Sequence, residues 1–230
     1  MPASASLGIA AAAALLLLAW RDPQRRAWAW VAIAGSALYL ALRGLPPLLG
    51  VGEQLEVGSR NWGGHLLALA GMLALAALLA RRAALAPREM GFAGPAHLGP
   101  ALRVCAAALL VGFPLLVVTA GRVVPISAGT WLFVATMPGL TEEIAFRGVL
   151  LAAAERAAPA ARRIGGVPVS AGALLLTAAF VGMHGFGVGM LVSVLPAALL
   201  YLWLRLRTGS LLVPIVAHNL WNLTVLAAHL

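Results

Sequence analysis

The stretch "TEEIAFRG", residues 141–148, decides how this chain is read. Two adjacent glutamates and an arginine stand between "AGTWLFVATMPGL" and "VLLAAA", which are almost pure hydrocarbon. The surroundings repeat on the scale of the whole chain. Its 230 residues are 62% hydrophobic and 10% charged, whereas soluble domains carry about 25% charged residues. A globular core of this size cannot absorb that excess. The solvent is lipid, and the chain reads as an integral membrane protein.

Outward from the opening stretch, eight apolar runs approach the length of a membrane crossing: 3–20, 27–45, 63–80, 101–120, 128–152, 169–184, 187–204 and 211–229. Backbone groups in lipid must be satisfied within their own segment, and no alternating barrel pattern is present. The fold class is therefore all-α, a polytopic bundle of about eight transmembrane helices. Residues 1–120 supply about four of them, and 121–230 supply the helices that carry the charged stretch. The first run, "LGIAAAAALLLLAW", lacks a positively charged start and a small-residue cleavage site, so it reads as a retained helix, not a signal peptide.

The net charge of +9 is carried by arginine alone, since there is no lysine. The connections after the first, third, fifth and seventh runs hold twelve arginines: Arg21, Arg25, Arg26, Arg81, Arg82, Arg88, Arg103, Arg156, Arg162, Arg163, Arg205 and Arg207. The other connections hold Arg43, Arg60 and Arg122. This bias places the first set in the cytoplasm and both termini outside. No stretch interleaves basic and aromatic residues, so no nucleic-acid partner is expected. Heavy use of Ala, Gly and Arg without Lys points to a GC-rich bacterial genome, and the expected location is a bacterial cytoplasmic membrane. Cys105 is the single cysteine; it forms no intrachain disulfide and reads as a small core- or lipid-facing residue.

An ionisable residue inside a membrane helix is a functional hypothesis by default. Asp22, Glu53, Glu56, Glu89 and Glu155 fall in connections or at run ends, which leaves Glu142 and Glu143 as the acidic pair in an apolar interior. Glu143 and Arg147 stand four residues apart and can pair along one helix face. Glu142 points about 100° away and needs a partner elsewhere. Two later runs offer partners at the same four-residue spacing: Phe180 with His184 in "FVGMH", and His218 with Asn222 in "HNLWN". Glu142, His184, His218 and Asn222 converge as a candidate site. A carboxylate beside an imidazole can activate water, and a second histidine with an amide can donate to an oxyanion. Peptide-bond hydrolysis needs those parts. A two-aspartate mechanism is excluded because the single aspartate, Asp22, lies in a connection. HExxH is absent, and no serine or cysteine lies in a nucleophile motif.

The three motifs together resemble the CPBP family, the CAAX prenyl protease and bacteriocin-processing group also called Abi. Its pattern EExxxR, FxxxH, HxxxN reads here as Glu142-Glu143 with Arg147, Phe180 with His184, and His218 with Asn222. The resemblance covers roughly residues 128–230. It implies a glutamic-type intramembrane endopeptidase in which Glu142 and His184 activate water and His218 and Asn222 stabilise the oxyanion. Glu143, Arg147 and Phe180 would be supporting residues. The implied substrate is a membrane-anchored protein or peptide in the lipid bilayer, with no cofactor. The alternative donor set Glu142, His184 and His218 has the composition of a zinc site with an open position. A non-catalytic membrane scaffold of the same family and a proton-coupled transporter are the other readings, the latter without the internal repeats transporters show.

Four further expectations follow. Glu142, counted from the outer end of its run, would lie too deep to meet His184, so a kink or break at Met137-Pro138-Gly139, or an inward fold of the glycine-rich "HGFGVGM", is expected to reconcile them. Trp28, Trp30, Trp62, Trp131 and Trp203 read as interfacial anchors, and Trp221 as a packing residue. His65, His97 and His229 read as surface residues. Pro114, Pro196 and Pro214 read as local kinks.

Overall fold

The structure, a computed structural model, describes residues 3–49, 61–119, 126–185 and 188–227. Each apolar run becomes a helical rod: α1 (Ala3–Ala19), α2 (Pro23–Leu48), α3 (Trp62–Arg81), α4 (Leu98–Thr119), a composite fifth rod, α7 (Ala171–Met183), α8 (Val188–Thr208) and α9 (Leu212–Ala227). The fifth rod is α5 (Ala128–Glu142), a π-helical segment (Glu143–Val149) and α6 (Leu150–Ala157) in unbroken succession. Among the described residues, Pro23–Pro46 and Trp62–Arg81 are long and apolar enough to cross a membrane.

The composite rod is the axis of the fold. Every residue from 141 to 150 is buried, and α2, α3, α7, α8 and α9 pack around it. No break occurs at Met137-Pro138-Gly139, since α5 continues through Pro138. Proline removes a donor from the ladder and crowds the preceding turn. Here the Asn219 amide of α9 serves the damaged turn, accepting from Gly139 N–H at 2.9 Å and donating to Thr136 O at 3.2 Å. The irregularity falls after Glu142 instead, where the turns widen; Leu150 N–H reaches Ala145 O, five residues back. Such π segments concentrate at functional sites. Arg205 secures this one from outside, its Nε donating to Arg147 O at 3.0 Å and Nη2 to Glu89 O at 2.7 Å.

The depth problem dissolves for a simple reason. The fifth rod extends to Ala157, past the predicted end at 152. Counted back from the connection shared with α7, Glu142 is fifteen residues up one rod and His184 thirteen up its antiparallel neighbour. At about 1.5 Å per residue, both reach a similar height of about 20 Å. The helix α7 ends there, with Gly185 at φ +103° following the His184 cap. Of the glycine-rich stretch, residues 186–187 lie outside the described residues.

One element corrects the all-α expectation. Ala161–Ile164 and Val167–Ser170 pair as an antiparallel hairpin, with Ile164 opposite Val167. The two-residue loop, Gly165 and Gly166, takes φ +57° and +81°, the turn that two-residue hairpins favour and glycine permits. Ser170 then caps α7, its Oγ accepting from Ala173 N–H at 3.0 Å. The hairpin lets α6 and α7 meet backbone to backbone: a Cβ on Gly172 would strike the Ala154 carbonyl. Gly172→Ala is expected to cost about 1–3 kcal/mol as the helices are forced apart, read as a lowered thermal-unfolding midpoint in detergent.

Two arginines counted as topology signals are engaged within the bundle. Arg205 is 7% exposed and bound to backbone carbonyls. Arg43 lies within α2 and turns inward. His65 is likewise no surface residue: it is 2% exposed, on the first turn of α3. His97 is exposed as expected, and His229 lies outside the described residues. Cys105 is buried and unpaired. Trp221 packs against the Gly112 position of α4. Pro114 and Pro196 sit inside continuous helices.

Candidate active site

Glu142 ends α5, where the rod widens, and its carboxylate is 3% exposed. Its two oxygens face different partners. Oε1 lies 3.3 Å from the Arg43 guanidinium of α2. Oε2 lies 3.7 Å from His184 Nε2 and 4.0 Å from His218 Nε2, and accepts no hydrogen bond within the described protein. Residues from four rods, α2, α5, α7 and α9, therefore meet at one carboxylate.

Both imidazoles are held from behind. His184 Nδ1 lies 2.9 Å from Phe180 O, one turn earlier. A carbonyl only accepts, so Nδ1 carries a proton and Nε2 is the nitrogen presented to Glu142. His218 Nδ1 lies 2.8 Å from Glu143 Oε1, which presents Nε2 in the same way. The His218 ring also stacks on Tyr201 at 4.7 Å. Each histidine thus turns one fixed nitrogen towards Glu142 Oε2.

Glu143 plays a different part from its neighbour. It is fully buried and sits 3.4 Å from Arg147 Nε, at the four-residue spacing. Arg147, 2% exposed, donates to Ala198 O at 3.1 Å and lies over the Phe180 ring at 4.0 Å. Phe180 in turn contacts the His184 ring at 4.8 Å. Glu143 therefore orients His218 directly, and His184 through Arg147 and Phe180.

Asn222 is half-buried on α9, and the structure gives it no hydrogen bond to Glu142 or His218. Among the described residues, no three metal-ligand side chains group closely enough to hold an ion. Tetrahedral zinc with bonds of about 2.1 Å spaces its donors by about 3.4 Å, less than the 3.7 and 4.0 Å found here. The set Glu142, His184 and His218 has the donor types of a zinc site, with spacings a few tenths of an ångström wider than tetrahedral zinc sets.

Several site residues escape sequence reading. Arg43 and Tyr39 are four residues apart in "YLALR", and that spacing was their available signal. Tyr39 is fully buried, with its ring edge-on to Phe146 at 5.3 Å. His65 Nδ1 reaches Thr141 Oγ1 at 2.8 Å, and Thr141 donates to Met137 O at 2.8 Å, so His65 braces the residue before Glu142 from α3. Nothing in "GGHLL" distinguishes His65 from a helix-end histidine. Beside the site, α1, α2 and α7 enclose an apolar cavity of about 510 Å³ whose lining includes Phe146, Gly182 and Met183.

Comparison with known proteins finds one family. The family model described as "Type II CAAX prenyl endopeptidase Rce1-like" matches residues 124–224. That span holds Glu142, Glu143, Arg147, Phe180, His184, His218 and Asn222, and leaves out Tyr39, Arg43 and His65. No curated protein and no solved structure matches the chain. Residues 124–224 are thus similar to the Rce1-like CAAX proteases, the family that the three motifs resemble, in a membrane protein of mostly helical fold.

Proposed function

We propose that the protein is a glutamic-type intramembrane endopeptidase, an eight-span protein of a bacterial cytoplasmic membrane that cleaves a membrane-anchored protein or peptide. The observation that carries this reading is Glu142 Oε2, buried, engaged in no hydrogen bond, and faced by two fixed Nε2 atoms at 3.7 and 4.0 Å. Glu142 and His184 bind a water between them, and Glu142 takes its proton as hydroxide adds to the scissile carbonyl. The carbonyl oxygen gains the electron pair and becomes an oxyanion. His218, when protonated on both nitrogens, and the uncommitted Asn222 amide donate to that oxygen. The proton held by Glu142 passes to the leaving nitrogen as the C–N bond breaks, giving a carboxylic acid and an amine, between which a proton then moves to leave a carboxylate and an ammonium. Glu143, Arg147 and Phe180 keep the two imidazoles in place. No step requires a metal or other cofactor.

The test compares wild type with Glu142→Ala in the native host by mass spectrometry of membrane-protein termini. Specific termini are expected to vanish in the variant while the protein stays folded and abundant, which also identifies the substrate. Matching profiles beside a phenotype for the gene deletion would sink the proteolytic reading in favour of a scaffold.

A further inference from the structure

The bundle has two chemically different ends. At one, the hairpin, the connection after α3 and the end of α8 are knitted together: Arg156 pairs with Glu89 at 2.7 Å, Trp203 Nε1 donates to Gly165 O at 2.9 Å, and Leu211 N–H donates to Gly91 O at 3.0 Å. Arg156 also lies over Trp28, near the start of α2, at 4.9 Å. Arg162 and Arg163 on the hairpin, Arg81, Arg82 and Arg88 after α3, and Arg21 and Arg25 before α2 are exposed around this end. Apart from the buried Arg205, every arginine assigned above to the cytoplasmic connections belongs here.

The site belongs to the opposite end. Arg43 lies five residues before the end of α2, His65 three residues after the start of α3, and His184 caps the end of α7. Asn61 ties the α2 and α3 termini together there, through its bond to Arg43 O at 2.8 Å. Once Arg43 is recognised as a partner of Glu142, Arg60 and Arg122 are the arginines left to the connections of that end. The helix α7 covers about 20 Å from the hairpin to His184, in a hydrocarbon core of about 30 Å. That leaves the site about 10 Å beneath the arginine-poor surface.

We propose that the site opens to the arginine-poor face, which the arginine bias makes the extracytoplasmic one. Resting on the proteolytic reading, the substrate class follows: a membrane-anchored or secreted polypeptide that presents its scissile bond from outside, not a lipid-bearing tail on a cytosolic protein. Arg43, one-third exposed, is the most open of the charged groups around Glu142.

Cysteine labelling tests this without any catalytic step, so its failure is distinct from failure of the proteolytic reading. In a Cys105→Ala background, single cysteines are introduced by Leu49→Cys after α2, Arg43→Cys at the site, and Arg163→Cys on the hairpin. Spheroplasts of a bacterial expression host receive a membrane-impermeant maleimide before and after permeabilisation. Leu49→Cys and Arg43→Cys are expected to label in intact spheroplasts, and Arg163→Cys at least tenfold more after permeabilisation. The reversed pattern, equal labelling at both ends, or protection of Arg43→Cys until permeabilisation would each overturn the proposal.

Discussion

Glu143→Ala is expected to leave little folded protein, whereas Glu142→Ala, one residue away, is expected to leave a folded protein without proteolytic activity. The contrast comes from what each substitution abandons. Removing the Glu143 carboxylate strands Arg147, which is 2% exposed and cannot reach water. It also removes the acceptor of His218 Nδ1. Breaking one side of a buried ion pair costs about 3–5 kcal/mol, a large part of the roughly 5–15 kcal/mol that holds a typical domain together. Glu142 leaves no comparable orphan. Its cation, Arg43, is 34% exposed and is not sealed in the core as Arg147 is, while the imidazoles keep their Nδ1 partners. In the proposed mechanism its loss removes the general base, a group worth about 10²–10⁴ in rate. Size-exclusion profiles and thermal unfolding in detergent check the first half, and the appearance of cleaved termini the second. Replacing the pair together, Glu143→Leu with Arg147→Leu, is expected to recover much of the lost stability, since apolar substitutes of similar size commonly match a buried pair. A stable Glu143→Ala single variant would contradict the buried-pair account.

Arg43→Gln is expected to lower turnover about 100-fold while leaving KM within about twofold. A displacement of about 1 Å in a reacting group costs on that order. Arg43 holds Oε1 of Glu142 at 3.3 Å, and this fixes the direction in which Oε2 faces the histidines. It acts through the glutamate, so its loss falls on the chemical step and spares substrate binding. Arg43→Lys keeps the charge but not the planar fork, and is expected to restore at least tenfold of the lost rate. Kinetics on the substrate identified by the terminus comparison decide the matter. A rise in KM at constant kcat would make Arg43 a substrate contact instead.

The helices and the ion pair were legible in the sequence for different reasons. Apolar runs in lipid have one hydrogen-bonding solution, so among the described residues each run appears as a rod with ends displaced by a few residues. The pairing of Glu143 with Arg147 follows from spacing along one helix and was readable for that reason. The remaining features are products of register between distant segments. Arg43 looked like a loop charge because nothing local shows that α2 packs against the π segment. His65 looked like a surface histidine until Thr141, 76 residues away, supplied its partner. The Met137-Pro138-Gly139 signal suggested a break, and a side chain from another rod, Asn219, repaired it. Asn219 and Asn222 lie on one short stretch, and the motif drew attention to the second while the first carries the structural bonds.

The π segment also makes the fifth rod a matter of phase. Its wide turns put α5 and α6 out of step with the register a continuous α-helix would keep, so the faces that α6 presents to α7 and that α5 presents to α9 are set by the number of intervening residues. One residue removed between Glu143 and Val149 would bring the halves into step and turn one against the other by about 100°. Every side chain in the segment could be chemically conserved and Glu142 would still point away from His184 and His218. The spacing from Glu142 to Leu150 is therefore a functional quantity in its own right: substitutions there alter the contacts of the site, whereas a deletion alters its aim.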